Sequence, residues 1–196
     1  MLRKLLKAFF HFLAIIVYRP KVYGKGNIPS EGGAIICPNH VHALDSVIIL
    51  TTAKRKINFM AKEELFKNGF IRFLAKVFGI FPVKRGGKDL DAIKTSLKIL
   101  KDKEILCMFP EGTRNGLSKG VKPKNGAVLI AIKAGVPIIP CGVQGSFKPF
   151  TKVKLNYGKP IYFDKETDIQ DKEIVNNLTK KVVDEVVYLR DEKLPK

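Results

Sequence analysis

Short, almost purely apolar runs alternate along the chain with longer segments whose apolar residues recur at helical spacing. The runs at 34–37, 104–109 and 136–143 read AIIC, EILCMF and VPIIPCGV. Such runs suit strands covered by helices on both faces. Residues 22–29 read as a strand and turn, and 57–60, 79–83 and 152–157 as further strands, punctuated by glycine and proline. Helical periodicity appears at 44–53, 62–78, 89–101 and 125–134, and in a closing helix that runs to Arg190. Thr167 with Gln170 reads as a capping box ahead of that helix, with Ile174, Leu178, Val182, Val186 and Leu189 on its inward face. The alternation predicts an α/β fold: a single domain with a mostly parallel or mixed β-sheet flanked by helices.

The first 18 residues, MLRKLLKAFFHFLAIIVY, differ from the rest. Arg3, Lys4 and Lys7 precede an apolar stretch from Ala8 to Tyr18. A bilayer span needs about 20 apolar residues, so this segment is too short to cross. No small-residue cleavage site follows it, only Arg19-Pro20-Lys21. The expectation is an uncleaved amphipathic helix over 1–20 lying in a membrane interface, basic end among head groups, ahead of a catalytic domain over 21–196. An ordinary core helix is the alternative. The stripe at 62–78 (Leu65, Phe66, Phe70, Phe73, Leu74, Val77, Phe78) stays open between core, the wall of an apolar groove and a bilayer contact.

With 196 residues and 45% hydrophobic content, the chain suits one folded domain and is not a disordered polymer. Its net charge of +18, spread as lysine along the whole length, favours polyanionic partners: an anionic membrane surface, phosphorylated substrates or nucleic acid. No recognised nucleic-acid motif accompanies that charge, so no nucleic-acid partner is expected. Cys37, Cys107 and Cys141 each sit in or beside an apolar run and read as free buried thiols in a reducing compartment.

The candidate chemistry begins at Asn39-His40-Val41-His42-Ala43-Leu44-Asp45, between two apolar runs. On one continuous helix, His40 and Asp45 would stand roughly 140° apart. They cooperate only if His40 lies in the turn before the helix and Asp45 near its start. The carboxylate then holds one imidazole nitrogen and leaves the other free as a base. Asp45 as a helix cap and His40 as a turn residue is the plainer alternative. His40-x-His42-x-x-Asp45 also has the look of a metal site, though the chain has only three histidines and no paired cysteines at ligand spacing.

Two further blocks leave strands with charged residues in glycine-bearing turns. Phe81-Pro82-Val83-Lys84-Arg85-Gly86-Gly87 offers an anion a guanidinium fork and open backbone. Phe109-Pro110-Glu111-Gly112-Thr113-Arg114-Asn115 places a carboxylate and a second guanidinium around Gly112. Together with Val136-Pro137-Ile138-Ile139-Pro140, these blocks resemble, in order and spacing, the four motifs of the glycerolipid acyltransferase family, specifically its 1-acyl-glycerol-3-phosphate (lysophosphatidic acid) acyltransferases. Asn115 stands where the family commonly has serine. The resemblance implies His40 as general base and Asp45 as its orienting partner. It implies Arg85, Glu111, Gly112, Thr113 and Arg114 as acceptor-binding residues, with Glu111 accepting from a glycerol hydroxyl. It implies no metal and no cofactor, an acyl-CoA or acyl-carrier-protein thioester as co-substrate, a lysophospholipid acceptor, and a place on the cytoplasmic side of the cell membrane as a peripheral or monotopic protein. Another lysophospholipid as acceptor, or a non-catalytic basic module binding membrane or nucleic acid, are the alternatives.

Overall fold

A computed structural model describes residues 1–84 and 89–192. Seven strands form one sheet in the order β1-β7-β6-β2-β5-β3-β4, where β1 is Lys21–Tyr23, β2 Ala34–Pro38, β3 Ile57–Lys62, β4 Ile80–Val83, β5 Ile105–Cys107, β6 Ile138–Gln144 and β7 Lys154–Tyr157. The five strands from β6 to β4 are mutually parallel, and β7 runs antiparallel to β6 with β1 parallel to β7. The sheet is therefore mixed, within one α/β domain.

Side chains alternate across β2 and sort the helices into two layers. Ile36 joins one core with Ile48 and Ile49 of α2 (Asp45–Thr52), Phe78 of α3 (Gly69–Phe78) and Leu6 and Phe10 of α1 (Leu2–Tyr18). Ile35 and Cys37 join the opposite core with α4 (Leu90–Lys101), α5 (Gly126–Ala134) and α6 (Lys172–Asp191). Ile35, Ile36, Ile105, Leu106, Ile138 and Ile139 are fully buried at the centre. Each such side chain contributes about 1.5–3 kcal/mol of burial. The turns that leave the carboxyl ends of these strands thus start from the best-packed part of the molecule.

Several expected elements differ in detail. The 104–109 strand is shorter, because after Cys107 the chain bonds once more, Met108 N–H to the Ile36 carbonyl at 2.9 Å, and then turns. The 62–78 helix is interrupted: a 3₁₀ turn over Glu63–Lys67 gives way at Asn68, whose Oδ1 accepts from Ile71 N–H and starts α3 afresh. Thr167 and Gln170 do not cap α6; Asp171 does, accepting from Glu173 N–H at 2.8 Å and Ile174 N–H at 3.1 Å. The inward face of α6 is Val175, Thr179, Val182, Val183, Val186 and Leu189, while Ile174 is exposed. A close approach to β6 fixes that rotation: a Cβ on Gly142 would stand 2.3 Å from Arg190 N.

The N-terminal helix packs Leu6, Phe10 and Tyr18 against the core. Its cations are not all turned to solvent. Arg3 donates to the carbonyls of Ile57 and Phe78, and Lys7 Nζ donates to the Ala53 carbonyl at 2.5 Å. Leu2, Leu5, Phe9, Phe12 and Ile16 face outward instead. No helix among the described residues is long and apolar enough to cross a membrane.

Candidate active site

Strand β2 delivers the site. It ends at Pro38, and the Asn39 side chain continues the ladder to β6, donating to the Val143 carbonyl at 3.0 Å and accepting from Val143 N–H at 2.6 Å. Asn39 is buried, so these two bonds satisfy an amide that would otherwise be costly to enclose. They also fix where the next residue begins.

That residue, His40, lies in the turn before α2, and Asp45 is the first residue of the helix. His40 Nδ1 is 2.8 Å from Asp45 Oδ2. The same oxygen accepts from the backbone N–H groups of Val41 at 2.7 Å and His42 at 2.9 Å. Asp45 is fully buried at the positive end of α2. Because Oδ2 already accepts from two backbone amides, it suits Nδ1 as a further donor, an arrangement that turns Nε2 away from the carboxylate. The imidazole stacks on Phe109, ring centroids 4.1 Å apart and planes inclined by 26°, which leaves it two fixed contacts, one polar and one apolar.

The backbone of His40 is held as firmly as its ring. Its N–H donates to Glu111 Oε1 at 2.7 Å, and its carbonyl accepts from Asn115 N–H at 2.6 Å. Glu111 is 2% exposed, and its other oxygen accepts from Leu117 N–H at 2.8 Å. Glu111 thus ties the 110–117 turn to His40 through both oxygens. Sequence reasoning gave it a substrate hydroxyl; the structure shows it committed to two backbone amides. Gly112 adopts φ +63° in that turn, a left-handed conformation that favours glycine. Thr113 is half-buried and Arg114 exposed. Arg85, Gly86 and Gly87 lie outside the described residues.

A cleft of ≈ 320 Å³ opens over His40 and Glu111, with Asn115, Gln144, Arg190 and Asp191 among its walls. Arg114 does not line it. Sequence reasoning missed Gln144, Arg190 and Asp191. Arg190 and Asp191 come from the far end of α6, and no local pattern connects them to residue 40. Gln144 Nε2 donates to the Arg190 carbonyl and, at 3.0 Å, to that of Glu192. Arg190 forms a forked pair with Asp191, Nε to Oδ1 at 2.7 Å and a terminal nitrogen to Oδ2 at 2.8 Å. The pairing raises the guanidinium further above its ordinary value and lowers the carboxyl below its own.

Other candidate chemistries find less. His42 stacks on Phe147 with centroids 5.0 Å apart, and its Nδ1 accepts from Leu44 N–H at 3.3 Å. Among the described residues no group of three or more His, Cys, Asp or Glu could hold a metal ion. Cys37, Cys107 and Cys141 are free and buried, and burial pushes each thiol up, away from the nucleophilic thiolate. A second, more open depression of ≈ 500 Å³ along α6 is lined by Lys180, Asp184 and Tyr188 and contains none of these groups.

The family model for acyltransferases matches residues 19–144. A 1-acyl-sn-glycerol-3-phosphate acyltransferase of Bacillus subtilis is 38% identical over 149 residues, covering 72% of this chain and 73% of the relative. One from Borreliella burgdorferi is 30% identical over 144 residues, covering 72% of this chain and 58% of the relative. Among solved structures, the 1-acyl-sn-glycerophosphate acyltransferase of Thermotoga maritima superposes with a TM-score of 0.73 at 25% identity, over 98% of this chain and 83% of that one.

Proposed function

This chain belongs to the acyltransferase family, and we propose that it acylates the free hydroxyl of 1-acyl-glycerol-3-phosphate, giving phosphatidate for phospholipid synthesis. The observation that carries the reading is the His40–Asp45 pair at the carboxyl end of a central parallel strand, open to a cleft.

The acyl donor is a thioester and is already activated, so one displacement is enough. His40 Nε2 takes the proton from the acceptor hydroxyl as that oxygen attacks the thioester carbonyl. The tetrahedral intermediate collapses with loss of the thiolate, which the imidazolium protonates. General-base help of this kind is worth about 10²–10⁴-fold. Asp45 holds the tautomer and stabilises the imidazolium in transit. Glu111, by fixing the His40 backbone, holds the base in reach of the hydroxyl. Arg114 and Arg85 are the proposed phosphate ligands, from the resemblance of their turns to the family's acceptor motifs. Coenzyme A and an acyl carrier protein both suit a chain of charge +18 as donor, the first through phosphates, the second through an acidic surface. The outward apolar face of α1 supports a peripheral place on a bilayer, and we assign it to the cytoplasmic leaflet.

The test is product analysis with radiolabelled acyl-CoA and acyl-carrier-protein donors against 1-acyl-glycerol-3-phosphate and other lysophospholipids. Phosphatidate as the main product is expected. Acylation only of a lysolipid lacking the phosphomonoester would move the reading to that acceptor.

A further inference from the structure

We propose that α3 is a second membrane-docking element, its Phe70 and Phe73 entering the same anionic leaflet as the outward face of α1. The inference rests on the reading of α1 as an interfacial helix.

Phe70 is 66% exposed and Phe73 47%. Three residues apart, they sit side by side on one face of the helix. Burying two phenyl rings would be strongly favourable, yet the fold leaves them in water. The rest of α3 is anchored: Leu74 and Phe78 pack into the core that Leu6 and Phe10 of α1 also join. The two helices therefore cover the same side of the sheet, and their outer faces point away from it together. They are also tied to each other. Arg3 donates to the carbonyl of Phe78, the last residue of α3, and the rings of Phe10 and Phe78 meet at 66° with centroids 6.0 Å apart. The exposed apolar residues of α1 and α3 thus form adjoining parts of one surface, and extended apolar surface of this kind marks an interaction site.

Charge selects the occupant. The residues of α3, GFIRFLAKVF, include Arg72 and Lys76 and no acid, and Lys67 precedes them. A second copy of this chain would bring +18 against +18. A bilayer of anionic lipid offers acyl chains to the phenylalanines and head groups to the cations in the same layer. As the wall of an enclosed acyl groove, Phe70 would be covered, and it is not. Two docked helices fix the tilt of the protein on the lipid, which a single helix lying in the interface leaves free to roll.

The chain contains no tryptophan, so Phe73→Trp supplies a lone reporter. With phosphatidylglycerol-containing vesicles its emission should shift to the blue and be quenched by brominated acyl chains. In a sedimentation assay, Phe70→Ser/Phe73→Ser in the full chain should weaken partitioning into those vesicles by about tenfold or more, from the lost apolar burial. Turnover of a water-soluble, short-chain acceptor should stay at the wild-type level. If the Trp stays unquenched while the wild type sediments and Phe9→Ser/Phe12→Ser does not, docking runs through α1 alone and the inference about α3 is overturned. Loss of turnover on the soluble acceptor in the α3 variant would place these rings on the substrate path and overturn it too. If the wild type sediments with no vesicle, the interfacial reading of α1 falls with it.

Discussion

One oxygen of Asp45 holds three groups, the His40 ring and the amides of Val41 and His42, and so fixes both the imidazole and the shape of the loop that carries it. This much was legible in the sequence, because a five-residue spacing leaves the pair only one way to meet. Glu111 was not. Its neighbours Gly112 and Arg114 suggested substrate contact, and nothing local could reveal that its partners would be the amides of residues 40 and 117. The distinction has a kinetic signature. Glu111→Gln replaces one acceptor oxygen by an NH2 group facing a buried amide, at a cost of about 1–3 kcal/mol. A lower Tm and a lower kcat are expected, with the KM for the acceptor little changed. A raised KM at unchanged kcat and Tm would return Glu111 to the substrate.

At the level of elements, the apolar runs and glycine stops located nearly every strand and helix, and the errors fell at their ends. The 62–78 stripe was periodic throughout, yet Asn68 restarts the helix because its side chain offers a cap that the periodicity ignores. The closing helix erred in the opposite way. Thr167 and Gln170 have the right spacing for a capping box, but Asp171 is followed directly by the helix and accepts from two of its first amides. Asp171→Ala should therefore destabilise the protein by about 1 kcal/mol, read as a fall in Tm, whereas Thr167→Ala should leave Tm unchanged. Of the expected inward stripe of α6 only Ile174 is turned out, because the helix's rotation is set by contact with Gly142, a tertiary fact absent from the helix's own pattern. That same contact brings Arg190 to the cleft wall, from a position 150 residues along the chain from His40.

Across the whole molecule, the site hangs from the carboxyl ends of β2 and β5, where the sheet is best packed, and takes its walls from segments that meet only after the sheet has formed. The two faces of the sheet are covered differently: α1, α2 and α3 lie over one, α4, α5 and α6 over the other. The sequence carries its charge as scattered lysine and arginine, and which of these cations stay in solvent depends on the fold, which turns Arg3 and Lys7 inward to backbone carbonyls. The His40–Asp45 pair remains the centre of the reading. Its most direct test is kcat for His40→Ala against wild type, with an acyl thioester and 1-acyl-glycerol-3-phosphate, on protein whose thermal melt is intact. A loss of about 10²–10⁴-fold or more is expected for removal of a general base. Turnover equal to that of the wild type would contradict its role.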